Sequence, residues 1–433
     1  MTEKQNFKIL FTDEVLKLID QPGTKIIDIR SVNAYNGWQE NGEPCGGHIN
    51  GARSLPYKWI DYIDWIEIVQ SKAIFPKDKI IIYGYDKNEI DVVAQQFSKA
   101  GYVDINVYYD FMEWSTFSNP MNKLQNYKQL VSPQWLQGLI NGDTIDKYDN
   151  DKFLICHAHY RNPDDYTEGH IPTAISLDTN LLESPKTWNR RSPKELKQTF
   201  EKLGISHDTT IIVYGRFSFP DNNDEFPGSS AGQIGAIRCA LIMMYAGVQD
   251  VRVLNGGIQS WVDSGLKLTK TNIDPSPIND FGIDIPNRPE LFIDLYEAQE
   301  YLRASDKNLV SVRSYREWTG ETSGYNYIER KGRIPGAVFG DCGSDAYHME
   351  NYRNLDHTTR EFQEIFKNLK QVGVTPEKAN AFYCGTGWRG SEAWFNVWLM
   401  GWPNVAVFDG GWFEWSNNNL PFETGKDGRN NTA

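Results

Sequence analysis

The chain has 433 residues, too long for one compact core, and at roughly 150 residues per domain it predicts about three. Hydrophobic residues make up 40% and charged residues 23%, as in an ordinary globular protein. No apolar run approaches the roughly 20 residues needed to cross a bilayer, so no membrane partner is expected. Net charge is −13 and no Lys/Arg stripe carries interleaved aromatics, which argues against nucleic acid as a main ligand. A locally basic site would still admit small anions.

The cysteines Cys45, Cys156, Cys239, Cys342 and Cys384 are few, odd in number and widely spaced, against a disulfide framework and for a reducing compartment. The opening "MTEKQNFKILFTDEVL" has no basic segment followed by an apolar one. The expectation is a cytoplasmic protein, or a periplasmic one if a signal has been removed.

Four signals recur in the same order three times along the chain. The first copy reads "IIDIRSVNAYNGW", "GGHINGA", "KIIIYGYD" and "VYYDFMEW"; its β-branched run Lys79–Tyr83, bounded by glycine, predicts a buried strand. The second reads "FLICHAHYRNPDDY", "EGHIPTA", "TTIIVYGR" and "VRVLNGGIQSW". It predicts a helix over Pro193–Leu203, a strand over Thr210–Tyr214 and a strand-to-helix corner at Gly256-Gly257. "TKTNIDPSPINDFGIDIPNRPE" reads as a linker. The third copy reads "NLVSVRSYREW", "KGRIPGA", "NAFYCGTGWR" and "VAVFDGGWFEW". It predicts a helix over Thr359–Val372 capped by Thr358 or Thr359 and stopped near Gly373, a strand over Ala381–Tyr383 and a corner at Gly410-Gly411. Strands alternating with helices predict an α/β fold with mostly parallel sheets, in three domains over about 6–120, 128–270 and 290–425.

The third copy carries the chemistry. Cys384 to Arg389 turns from the strand into a helix expected from Ser391 onward, at the carboxyl end of a strand, where ligands bind in α/β units. A thiolate at a helix N-terminus sees the positive end of the dipole and unpaired N–H groups, which lower cysteine pKa values. Gly385 and Gly387 let the backbone curl into an anion nest, Thr386 adds a hydroxyl, and Trp388 adds an apolar wall. Arg389 would reach either an anionic substrate or a carboxylate that holds the loop. Gly84 and Gly215 stand where Cys384 does in the other copies, so one active loop per chain is expected, the second copy carrying instead the insertion "RFSFPDNNDEFPGSS".

These residues resemble the rhodanese superfamily, and the three copies together resemble its three-domain bacterial thiosulfate sulfurtransferases. "GHIPTA" and "GRIPGA" are similar to the family's signature, and "CGTGWR" is similar to its six-residue active loop. The resemblance implies three tandem rhodanese-like domains, each a mostly parallel sheet flanked by helices, the first two without a catalytic cysteine. It also implies a sulfurtransferase in which Cys384 takes sulfane sulfur from thiosulfate as a persulfide and passes it to a thiophilic acceptor. No cofactor or metal is then needed, the partners are a small anionic donor and a protein sulfur acceptor, and a monomer is expected. The family's mercaptopyruvate branch holds its carboxylate with two arginines. Arg313 matches the first as a substrate-binding residue, and Thr319 stands in place of the second, so thiosulfate is favoured over mercaptopyruvate. A sulfur-relay carrier is the other alternative. The Cys-x4-Arg spacing is one residue shorter than the Cys-x5-Arg of phosphatases, which makes a phosphatase or arsenate reductase the weaker enzyme reading.

Three constellations compete for attention. Cys156, His157, His159 and His170 suggest a metal site, but "GHI" recurs at His48 and becomes Arg333 in the third copy, which fits structural histidines. Cys239 in "AIRCALIMMY" reads as core, and Cys342 as a thiol able to approach the active loop. Arg313 also has a second role open to it, because Arg30 occupies its position in the first copy, where an arginine anchors a loop.

Overall fold

The structure, a computed structural model, describes residues 7–117, 119–145, 148–217 and 231–426. It divides into two compact units, Met1–Lys128 and Gln129–Ala433. The first holds one repeat and the second holds two. Each repeat has a five-stranded, all-parallel sheet, and numbering its strands in chain order gives the same arrangement, 1-5-4-2-3, in all three. In the third repeat those strands are Phe292–Ile293, Val405–Phe408, Ala379–Tyr383, Lys307–Ser311 and Val338–Phe339. The expected α/β class and threefold repetition are therefore what the molecule shows.

The central strands follow from their residues. Lys79–Tyr83 and Thr210–Tyr214 form as expected, and Ile80, Ile81 and Ile82 are all fully buried because helices cover both sheet faces. Helix Pro193–Leu203 also has the expected limits. Ser192 and Glu195 make a reciprocal capping box, and Gly204 ends it in the left-handed region at φ 77°. Two expectations change. Helix Phe362–Gln371 starts at Glu361, not at Thr358 or Thr359, because the Thr359 N–H donates to Asn255 Oδ1 (2.8 Å) and Thr358 to Asp356 (2.5 Å). The Pro/Asn-rich linker is bound rather than loose: Phe281 is fully buried and stacks on Phe200, and Ile278 N–H donates to the Glu201 carbonyl. The polar insertion lies outside the described residues from position 218 to 230.

The recurring Gly-His/Arg-Ile motif has a shared physical role. His48 stacks on Tyr35 and His170 on Tyr166, both at 3.7 Å, and each Nδ1 donates to the carbonyl of the ring it covers. Arg333 does the same with Trp318, its guanidinium 5.1 Å from the ring and Nη1 on the carbonyl. The isoleucine N–H that follows donates to a buried tyrosine at the end of the fourth strand, Ile49 to Tyr83 and Ile171 to Tyr214. The histidines thus serve packing. Cys156 and Cys239 are buried core thiols, and burial pushes Cys156 up to about 12. No described helix is long and apolar enough to cross a membrane.

Removing the Tyr214 hydroxyl strands a buried N–H. Tyr214→Phe is expected to cost about 1–3 kcal/mol, read from the urea midpoint; an unchanged midpoint would remove the tyrosine from this role.

Candidate active site

Cys384 follows the last residue of strand Ala379–Tyr383, which lies between the fifth and second strands, where the chain's winding reverses. The loop is tighter than the sequence suggests. Gly387 adopts φ 86° and the helix runs Trp388–Leu399, so Trp388 and Arg389 already belong to it instead of the turn. The Cys384 and Gly385 carbonyls accept the N–H groups of Trp412 and Phe413, both at 2.9 Å. Because carbonyl and N–H point oppositely across a trans peptide, the N–H groups of Gly385 and Thr386 face into the loop. Among the described residues none accepts a hydrogen bond from the Gly385, Thr386, Gly387 or Trp388 N–H. The result is an anion nest at a helix N-terminus. Gly411 makes it possible: at φ 52°, a Cβ there would stand 2.8 Å from both loop carbonyls.

Equivalent thiols cannot be housed elsewhere. A Cβ at Gly84 would lie 2.7 Å from Ile29, and one at Gly215 would lie 2.1 Å from the Gly232 carbonyl. The Gly215 N–H is moreover occupied by Gln233 Oε1 at 2.7 Å.

Arg389 and Arg313 converge on Glu317, which sequence reasoning missed. Arg389 donates through Nη1 and Nη2 to both Glu317 oxygens (2.9 and 2.8 Å), to Cys342 Sγ (3.1 Å) and to the Asp345 carbonyl. Arg313 donates to Glu317 (3.1 Å) and to the carbonyls of Gly332 (2.6 Å) and Ser323. Arg30 makes the matching bond to Gly47 in the first repeat (2.6 Å). All three residues of the triad are buried. Burial alone would raise the Glu317 carboxyl, but Arg389 and Arg313 outweigh it and hold it at about 2. Cys342 goes the other way: burial, only partly offset by Arg389, pushes its thiol up to about 12. One signal for Glu317 was available, since Ser314-x-x-Glu317 is a capping box and the structure forms it.

The loop faces an aromatic wall built from two repeats. Tyr325 lies over Gly385, where a Cβ would come within 2.4 Å of its ring. Tyr327 stacks on Tyr325 (5.1 Å) and on Trp188 of the middle repeat (4.5 Å), and Phe413 meets Trp188 edge-on. Tyr327 is 40% exposed and opens this wall to solvent. Burial first, with Cys384 adding to it for Tyr327, keeps the Tyr325 and Tyr327 phenols protonated. Trp188 is held at φ 59°, a conformation uncommon for a bulky residue and concentrated at functional sites. Trp388 closes the other side, its ring edge-on to Tyr160 and its indole N–H donating to both oxygens of Glu183 at 3.0 Å.

The lowered Glu317 value fixes a sign. Its contribution is complete above the unfolded carboxyl value of about 4.3 and is lost as pH falls toward about 2. Glu317→Gln is expected to lower stability at neutral pH by about 3–5 kcal/mol and to flatten that stretch of the acid limb, checked by urea unfolding between those pH values.

The rhodanese-like domain family matches residues 11–116, 132–264 and 293–418. The thiosulfate sulfurtransferase YnjE of Escherichia coli (strain K12) is 39% identical over 425 residues, 95% of this chain and 92% of its own length. The sulfur carrier protein TtuD of Thermus thermophilus is 30% identical over 299 residues, 66% of this chain and 93% of its own. The solved structure of wild-type EanB is 55% identical, with a TM-score of 0.95, covering 98% of this chain and all of that one. Substituted variants of EanB have also been solved with hercynine, with ergothioneine, and with ergothioneine linked to a cysteine persulfide. Sulfur transfer through a cysteine persulfide is the reaction class these relatives support, and the chain belongs to the rhodanese superfamily as a protein of three rhodanese-like domains.

Proposed function

We propose that this protein carries sulfane sulfur on Cys384 and transfers it to the imidazole carbon of a hercynine-like betaine. The observation that carries the reading is the aromatic wall of Tyr325, Tyr327, Trp188 and Phe413 beside a loop whose arginines spend their Nη groups on Glu317, Cys342 and backbone carbonyls, only the buried Arg389 Nε being left without a partner. A thiosulfate dianion is best held by guanidinium N–H groups free to pair with it. Here the Nη groups of Arg389 and Arg313 bind Glu317, Cys342 and backbone carbonyls, so both arginines act as positioning residues. Aromatic faces instead suit a trimethylammonium group and a planar imidazole. The likeness to EanB, solved with hercynine and ergothioneine, points the same way.

The transfer balances without an outside oxidant. The imidazole carbon bonds to the outer sulfur of the Cys384 persulfide, the S–S bond breaks, and the inner sulfur leaves as the thiolate. The proton lost from carbon is returned to sulfur, giving a thioimidazole and the Cys384 thiol. The nest of loop N–H groups receives negative charge on the persulfide and on the departing thiolate.

A second reading keeps thiosulfate as the sulfur donor, as the name of the YnjE relative suggests. The mercaptopyruvate alternative loses support because Arg313 is already engaged.

The test is to load the protein with polysulfide or with thiosulfate, weigh it, and add hercynine. Native protein is expected to gain sulfur from polysulfide and release ergothioneine, seen by mass spectrometry, whereas Cys384→Ser does neither. Thiocyanate formation from cyanide with no ergothioneine would replace this reading by the thiosulfate one.

A further inference from the structure

The middle repeat lacks a thiol, yet it supplies a buried polar cluster to the Cys384 loop. Glu183 is fully buried and lies just beyond the short turn Thr179–Leu181. Both of its oxygens accept the Trp388 indole N–H at 3.0 Å, and Oε2 also accepts Arg238 Nε at 3.4 Å. Arg238 is itself fully buried on helix Ala231–Ala246, and that helix packs against the loop's own helix, Gly235 meeting the Trp388 ring. Its Nη2 donates to the Trp188 carbonyl (3.0 Å) and to Asp409, while Nη1 has no partner and lies 3.3 Å from where a Gly387 Cβ would be. Asp409 immediately precedes the Gly410-Gly411 turn that braces the loop carbonyls, and Arg190 holds its other oxygen at 2.5 Å. One pair of middle-repeat side chains therefore touches the loop wall, the aromatic wall and the brace.

We infer that Glu183 is a positioning residue for sulfur transfer, fixing Trp388 directly and Trp188 through Arg238 so that the acceptor's binding face is set by the middle repeat. This rests on the aromatic wall being the acceptor site. Among the described residues from Cys384 to Arg389, Trp388 is the one whose side chain reaches the middle repeat by a hydrogen bond, and a ring tethered at its N–H cannot swing into or away from the loop mouth. Pairing with the buried Arg238 accounts for a carboxylate here, and it is the further bond of that carboxylate to the Trp388 N–H that ties the pair to the active loop.

The cluster also has a titration that reports it. Burial raises the Glu183 carboxyl to about 7, with Arg238 and then the Trp388 N–H opposing that rise. The other ionisable groups around it are Arg190, which shares a backbone bridge with it, Cys239 on the Arg238 helix, and Asp409 beyond Arg238. Ionised Glu183 attracts the Trp388 N–H and Arg238 more strongly than the neutral acid does, so the indole environment should change through neutrality.

The experiment compares native protein, Glu183→Ala and Glu183→Gln, the second keeping the size and an acceptor in case the first folds poorly. Indole-15N tryptophan spectra, with the Trp388 signal identified from Trp388→Phe, are expected to show a pH inflection near neutrality that is absent in Glu183→Gln. With persulfide-loaded protein and hercynine, Glu183→Ala is expected to raise KM about tenfold while kcat falls less than threefold, and Glu183→Gln to recover most of the KM. An unmoved Trp388 signal, or a KM equal to native in Glu183→Ala, would overturn the inference. Should the native protein load sulfur but fail with hercynine, the acceptor assignment fails instead, and the Trp388 titration still decides the role of Glu183.

Discussion

The active loop depends on one buried carboxylate. Glu317 lies between the guanidiniums of Arg389, on the loop's helix, and Arg313, at the end of the neighbouring strand. Removing two cations and an anion from water together is tolerable when the charges pair, and here the remaining Nη donors reach Cys342 and backbone carbonyls, leaving the Arg389 Nε as the one donor of the triad without a partner among the described residues. The triad therefore fixes where the helix begins relative to the sheet. Cys384 inherits its position from that, and so does the nest of N–H groups around it.

This arrangement separates two tasks that a smaller site would combine. Charge is handled by the backbone, through loop N–H groups that no described residue occupies. Shape and polarity are handled by rings from two repeats, Trp188 and Tyr160 coming from the middle one and Tyr325, Tyr327, Phe413 and Trp388 from the third. A thiol in such surroundings is suited to holding a polarizable sulfur.

Much of this was legible in the sequence. The threefold repetition, the central strands and the loop holding Cys384 follow from glycine-bounded apolar runs, because buried parallel strands leave that pattern. The two arginines were visible as well, but their partner was not weighed, although Ser314 and Glu317 have capping-box spacing. Arg238 was another readable sign, a lone cation in an otherwise apolar helix, which has to find a buried anion. What the sequence could not reveal is which repeat that anion comes from. Trp188, Glu183 and Tyr327 lie far from Cys384 along the chain and carry no local periodicity; only tertiary packing brings them together. The helix start at Trp388 was missed for a smaller reason, that a left-handed Gly387 shortens the turn.

The glycines at the two thiol-free positions limit what redesign of those repeats can achieve. Gly84 is crowded by the Ile29 side chain and Gly215 by the Gly232 carbonyl, at 2.7 and 2.1 Å from where a Cβ would stand. A cysteine at Gly215 would therefore need the backbone at Gly232 to move, and one at Gly84 would need Ile29 to repack. Gaining a thiol in either copy is thus a coupled change, in which the glycine and its neighbour have to be replaced together for the new side chain to be housed.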